Sequence, residues 1–315
     1  MPHTFKPIDL RPLKTYSITD RKSKVSVTDF TKTWTKGHSF SDFINSLPDI
    51  LAAKDLKAVI SSIIKAFKNN KIIVLGMGAH VIKVGLNPVI VDLMQRGIIN
   101  AVAMNGAGII HDLEVAMTGG TSEDVGASIG NGSFGMARET GNFLSEAIKR
   151  AGRESIGLGE AVGLSIIDQN LALKDKSILA AGASLGIPVT VHVAIGTDII
   201  HMHPDFDPKE AGGATHRDFR IFSSIISTLE GGVYLNVGSA VILPEVFLKA
   251  ITIVRNLGHT LENFTTVNMD FIRHYRPMAN VVNRPTAKGG QGFNLTGHHE
   301  IMLPLIAAGI IEQLE

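Results

Sequence analysis

The residues best suited to chemistry fall in three places along the chain. His111, Asp112 and Glu114 stand together in a stretch, residues 105–135, that is crowded with glycine, serine and threonine. His192, His201, His203 and His216 cluster further on, with His298 and His299 near the end, and Lys288 sits in the run Arg284-Pro285-Thr286-Ala287-Lys288-Gly289-Gly290. Imidazole changes charge near neutral pH and serves as a general acid or base. A lysine freed of its hydration can act as a nucleophile or form a Schiff base, although a surface lysine on a flexible loop explains Lys288 equally well. His201 and His203, with Asp198 and Asp205 close by, also offer nitrogen and oxygen donors. Their two-residue spacing and the lack of further partners argue against a metal, and none is expected.

The elements that must position these groups alternate. Residues 39–69 carry apolar side chains at three- and four-residue steps, which predicts two helices broken at Pro48. From Lys71 onward, short β-branched runs predict strands at 71–75, 98–104, 187–193, 233–235 and 264–267. Helices are expected between them at 88–96, 136–151, 158–185 (broken), 217–230 and 244–256, and a last one at 301–313. This order predicts an α/β fold, a doubly wound, mainly parallel Rossmann-like sheet with helices on both faces. Residues 105–135 are expected to form one long functional loop, and Gln291 to His299 a polar extension of the Lys288 loop.

Small-residue loops follow several of the strands: Gly76-Met77-Gly78, Asn105-Gly106-Ala107-Gly108, Gly196-Thr197-Asp198 and Val237-Gly238-Ser239. In parallel sheets ligands bind outside the carboxyl ends of strands, where glycine lets backbone approach a phosphate. One crevice lined by these loops is expected, with Gly76, Gly78, Gly238 and Ser239 among its cofactor-binding residues. The third glycine of a standard dinucleotide fingerprint is missing, since the next after Gly78 is Gly85, and no acidic residue closes the second strand.

Composition removes other classes. The 315 residues include no cysteine, which excludes disulfides, thiolate metal sites and cysteine nucleophiles, and a cytoplasmic setting is expected. Thirty basic residues against 29 acidic ones, a single Trp and three Tyr leave no footprint for nucleic acid. The longest apolar stretch, Ile301 to Ile311, is too short to span a bilayer and contains Pro304, and the amino terminus lacks the pattern of a signal peptide. Residues 1–36 hold eight basic residues against three acidic ones, together with Pro2, Pro7 and Pro12. They read as an extended arm, residues 1–38, that wraps its own domain or a neighbouring subunit, ahead of a single domain, residues 39–315.

Several blocks together resemble the deoxyhypusine synthase family from about Ser39 to the carboxyl end. Residues 71–85 are similar to its first strand and cofactor loop, and residues 99–113 to its second strand and small-residue loop. Leu235 to Val241, Asn283 to Pro285 and Leu303 to Leu305 resemble later blocks in the same order. The resemblance implies NAD as cofactor, a homotetramer with active sites between subunits, and dehydrogenation of an amine to an imine. By position it places cofactor contacts at Ala79, His80, Asn105, Gly106, Ala107, Gly238 and Thr266, among others. Residues 105–120 also resemble, over a shorter span, the NAD-dependent ornithine cyclodeaminase domain of the LOR/SDH type.

The departures lie in the substrate pocket. Ile110 and His111 stand where the family has paired glutamates, His201 where it has an aspartate, Leu243 near its histidine, and the Trp-Gly-Lys segment with the catalytic lysine is missing. The expected function is therefore NAD-dependent chemistry on a small amine or amino acid through an imine, of transferase or lyase type, and not that of authentic deoxyhypusine synthase. Acid/base roles are expected for His111, Asp112 and His201, with Asp112 orienting or charging His111, and Lys288 is expected as a nucleophile. The competing expectation is a non-catalytic ligand sensor or scaffold that retains the fold.

Overall fold

A computed structural model describes residues 4–314. Two helices, α1 (Phe40–Ser46) and α2 (Leu51–Lys68), open the body, separated at Pro48 as the periodicity predicts. Strand β1 (Ile73–Met77) is followed by the short α3 (His80–Lys83) and by α4 (Asn87–Gln95), and β2 (Ala101–Asn105) by α5 (Gly106–Thr118). Next come α6 (Val125–Ser128), α7 (Arg138–Glu154), α8 (Leu158–Asp168), α9 (Ile178–Leu185), β3 (Val189–His192) and α10 (Pro208–Ile226). The chain closes with β4 (Val233–Val237), α11 (Ile242–Asn256), β5 (Thr265–Asp270), α12 (Tyr275–Pro277), a π-helical turn (Met278–Asn283), β6 (Gln291–Thr296) and α13 (His299–Leu314).

All six strands are parallel, in the order β3-β2-β1-β4-β5-β6. This is the doubly wound order, whose direction reverses between β1 and β4, so their following loops part and leave a crevice. Alternation along β1 sends Ile73, Leu75 and Met77 into one helical layer and Val74 into the other, where Tyr234 stacks on Phe247 at 3.8 Å between ring centroids. Burial on both faces explains why β1, β2 and β4 read as near-continuous apolar runs.

Two expectations are corrected. The long loop over 105–135 is a helix in its first half: Asn105 caps α5 by accepting from the Gly108 amide at 3.1 Å, and only residues 119–137 run irregularly around α6 and a single 3₁₀ turn. The polar stretch after Lys288 is the edge strand β6, held by an asparagine ladder in register across three strands. Asn236 donates to Asn268, and Asn268 to Asn294, each at 2.8 Å.

Within the described part of the arm, residues 4–38 form two one-turn 3₁₀ helices and otherwise irregular chain. They are pinned to the body where Lys32 donates to the Ser46 carbonyl and Asp49 to that of Asp29. Met1 to His3, the start of the expected arm, and Glu315 lie outside the described residues. Among the described residues no helix is long and apolar enough to cross a membrane.

Candidate functional site

The crevice at the β1/β4 reversal has a volume of about 380 Å³ and is walled by the loops after β1, β2 and β4. Gly78, Ala79, His80, Asn105, Ala107, Gly238 and Ser239 all line it, so seven of the expected cofactor residues converge. Its floor needs small residues. Gly78 donates its amide to the Val237 carbonyl at 2.9 Å, and a Cβ there would collide with the Gly238 carbonyl. Gly238 itself turns at φ +64°, a conformation that other residues rarely adopt. The Ser239 hydroxyl accepts from the Leu243 amide, which steadies the first turn of α11.

A second lobe, about 190 Å³, lies beside the first beneath residues 119–135. Lys83, Ala107 and His111 line both lobes and mark their junction. The second lobe adds Glu114, Glu123 and Asp198 with Ile110, Phe134 and Ile199. Asp198 is 8% exposed, one of its carboxylate oxygens has no protein partner, and burial raises its pKa. Three carboxyl groups around an apolar-walled lobe suit a ligand that carries positive charge.

His111 projects from α5 with its side chain 17% exposed. Burial, helped by the positive charge of Lys83, lowers its pKa to about 4, which keeps the imidazole neutral at physiological pH. Its Nδ1 lies 2.7 Å from the Thr121 hydroxyl, and that hydroxyl donates to Glu114 at 2.5 Å. The helix places His111 and Glu114 three residues apart on one face.

Other expected site residues are placed elsewhere. Asp112 is fully buried and does not orient His111: it accepts from Ser177 (2.5 Å), Ile178 N (2.9 Å), Leu179 N (3.1 Å) and Asn87 (2.9 Å), binding the first turn of α9 to α5. One residue along a helix turns a side chain by about 100°, which separates the two roles. Lys288 precedes β6, and its neighbours Gly289 and Gly290 share a groove with Gly231, Gly232 and Asn263, which precede β4 and β5. Because the strands are parallel, Lys288 lies at the edge opposite the crevice. His201 lines neither lobe; it donates from Nδ1 to the Asp198 carbonyl at 2.9 Å and packs edge-on against Phe206.

Three expected cofactor residues, Gly76, Gly106 and Thr266, do not line the crevice. Gly76 lies within β1, where a Cβ would strike the Tyr234 hydroxyl; Gly106 makes room for Asp198; and buried Thr266 donates to the Val281 carbonyl at 2.8 Å. Lys83, placed among the cofactor contacts by the family likeness, lines both lobes, whereas sequence reasoning gave no role to Thr121 or Glu123. Reading Asn105-x-x-Gly108 as a helix cap would have set His111 and Glu114 on one face. Among the described residues no group of three His, Asp or Glu side chains is arranged to hold a metal ion.

No family model and no curated protein matches the sequence. Solved structures share the fold. An inferred deoxyhypusine synthase from Entamoeba histolytica superimposes with a TM-score of 0.53 at 15% identity, covering 90% of this chain and 96% of that one. An inferred LOR/SDH protein from Methanococcus maripaludis S2 gives 0.51 at 14% identity, over 89% and 72% of the two chains. AgrE, in a ternary complex with ornithine and NAD+, gives 0.53 at 14% identity over 84% of this chain, which spans about a third (34%) of the length of AgrE. Both likenesses read from the sequence are thus present among the structural neighbours, and at these identities they establish the fold.

Proposed function

We propose that this protein is an NAD-dependent enzyme that oxidises a small, positively charged amine or amino acid to an imine, with transfer or release of the fragment to follow. The observation that carries the reading is the junction of the two lobes, where His111 and Lys83 face both a small-residue crevice at the sheet reversal and a carboxylate-lined pocket. A dinucleotide fits the first lobe: Gly78, Ala79, Asn105, Ala107, Gly238 and Ser239 would hold it, with no side-chain bulk where Gly78 meets Gly238. NAD, when bound, supplies the hydride acceptor. The AgrE complex with ornithine and NAD+ supports the pairing of this cofactor with an amino-acid substrate.

The chain's own groups do the rest. Glu114, Glu123 and Asp198 offset the desolvation of a cationic substrate and orient it. His111, neutral because its pKa is held near 4, takes a proton from the substrate nitrogen as its bond to carbon gains double-bond character. Lys83, rather than Lys288, is the lysine within reach of both lobes. Residues 119–135 roof the second lobe, with the Glu123 carboxylate accepting from the Gly135 amide at 2.8 Å. A homo-oligomer, a tetramer by the family likeness, would cover the exposed apolar side chains of the arm, Ile8, Leu13, Tyr16 and Val27 among them.

One observation favours the sensor or scaffold reading: Lys288, the lysine expected as nucleophile, lies across the sheet from the crevice. Thermal unfolding with and without NAD, followed by a screen of diamines and basic amino acids for NAD reduction, separates the two. Ligand at 100 times its dissociation constant adds about 2.7 kcal/mol to the folded state. An enzyme shows the shift and reduces NAD with one class of amine, whereas a sensor leaves the cofactor oxidised.

A further inference from the structure

The hydroxyl of Thr121 bridges two groups that do not touch. His111 Nδ1 and Glu114 Oε2 are 3.8 Å apart, beyond hydrogen-bond reach, and the Thr121 oxygen stands between them at 2.7 and 2.5 Å. The other Glu114 oxygen accepts from Thr140 on α7 at 3.3 Å, so the carboxylate is anchored from a second helix.

A hydroxyl carries one proton. Since Thr121 gives that proton to Glu114, its oxygen can only accept from the imidazole, and His111 must therefore carry its hydrogen on Nδ1. This leaves Nε2 as the ring nitrogen with a free electron pair, on a side chain that lines both lobes.

We propose that Thr121 is a positioning residue that, backed by Glu114, fixes His111 in the Nδ1–H tautomer and so presents Nε2 as the base. The proposal rests on the reading of His111 as the base of an amine oxidation. As that step proceeds, the proton leaves the substrate nitrogen and forms an Nε2–H bond. The imidazolium so produced keeps its Nδ1–H on the Thr121 oxygen, with the Glu114 carboxylate one hydroxyl away to stabilise the charge. Thr121 belongs to the glycine-rich segment that begins after Gly119, where the chain turns at φ +79°. The charged groups lining the lobe around His111 are Lys83 on α3, Glu114 on α5, Glu123 in the glycine-rich segment and Asp198 after β3.

Thr121→Val and Thr121→Ser test this in the full-length protein. Long-range proton–nitrogen NMR of the imidazoles reads the tautomer without substrate or cofactor. The wild type and Thr121→Ser are expected to show Nδ1–H at His111, and Thr121→Val a mixture with Nε2–H. In turnover, Thr121→Val is expected to lower kcat by about 10- to 100-fold, a portion of what general base catalysis supplies, with KM for the amine little changed. Thr121→Ser restores the rate and shows that the hydroxyl, not the fold, is responsible. An unaltered tautomer in Thr121→Val overturns the proposal, as does an unaltered kcat. Absence of amine oxidation in the wild type would instead defeat the functional reading, while the NMR result still decides whether Thr121 sets the tautomer.

Discussion

Gly78 lies so close to Gly238 that a Cβ on the first would run into the carbonyl oxygen of the second. The obstacle is backbone, so no rotamer change relieves it, and the two loops that wall the crevice must move apart. Gly78→Ala is expected to cost about 1 to 3 kcal/mol of stability, the usual range for an overpacked site. It should also abolish the rise in melting temperature on adding NAD. Calorimetry with and without the dinucleotide checks both effects, and a normal NAD shift in this variant would move the cofactor away from the β1/β4 reversal.

Asp112 separates structural from catalytic roles. It accepts four hydrogen bonds in a fully buried setting, so Asp112→Ala strands several donors at the start of α9. The expected loss is about 3 kcal/mol or more in urea unfolding. The folded fraction should keep the wild-type pH dependence of turnover, because Asp112 does not contact His111. A changed profile would restore the orienting role that the sequence suggested.

The buried imidazoles should each contribute a loss of stability in acid. Burial lowers the pKa of His111 to about 4 and that of His192 to about 3, against the ordinary imidazole value of 6.5. Between pH 6.5 and 4 these groups thus take up protons in the unfolded chain that the folded one refuses, and their contribution to stability falls as the pH falls. Asp218, whose carboxyl is pushed up to about 7 by burial, works in the opposite sense, since the folded state holds its proton from about pH 4 to 7, and so do Asp112 and Asp198, whose pKa values burial also raises. His111→Gln isolates one contribution. Its stability, followed by urea unfolding across this range, should decline less steeply than that of the wild type by up to about 1.4 kcal/mol per pH unit.

Charge removal on opposite edges of the sheet should have unequal effects. Glu123→Gln and Asp198→Asn each take a carboxylate from the second lobe and are expected to raise KM for a cationic amine about tenfold, in line with the loss of one charge-assisted hydrogen bond. Lys288→Ala, across the sheet, should leave kcat and KM within about twofold of wild type, an ordinary surface result. Steady-state kinetics of the three variants with one amine makes the comparison.

Much of this architecture was legible because fully buried parallel strands carry their own signature. Leu75 and Val102 belong to apolar runs that end in glycine or asparagine, and those ends proved to be the walls of the crevice. β6 was illegible, since Asn294 is stabilised by a partner ladder through Asn268 and Asn236 that only the assembled register creates. The helix holding His111 was hidden by Gly106 and Gly108, which read as loop residues but make room for Asp198 and for the Met104 side chain. Lys288 was misplaced for a topological reason. A residue just before a parallel strand and one just after it sit at opposite edges, and that distinction required the existence of β6. Thr121 gave no signal of its own, because its role depends on a hydroxyl falling between two side chains already on one helix face.

The central claim is that His111 is the base of an NAD-dependent amine oxidation at the junction of the two lobes. The most direct measurement is the pH dependence of NAD reduction by the wild type and His111→Gln with a diamine or basic amino acid. The account expects wild-type kcat/KM to fall in acid as His111, whose pKa is about 4, and the substrate-binding Asp198, whose pKa burial raises, take up protons. It also expects His111→Gln to lose about 10²- to 10⁴-fold in rate while retaining the NAD-induced rise in melting temperature. Equal rates in the two proteins would remove His111 from the reaction, and no reduction of NAD by the wild type with any amine would contradict the enzymatic reading itself.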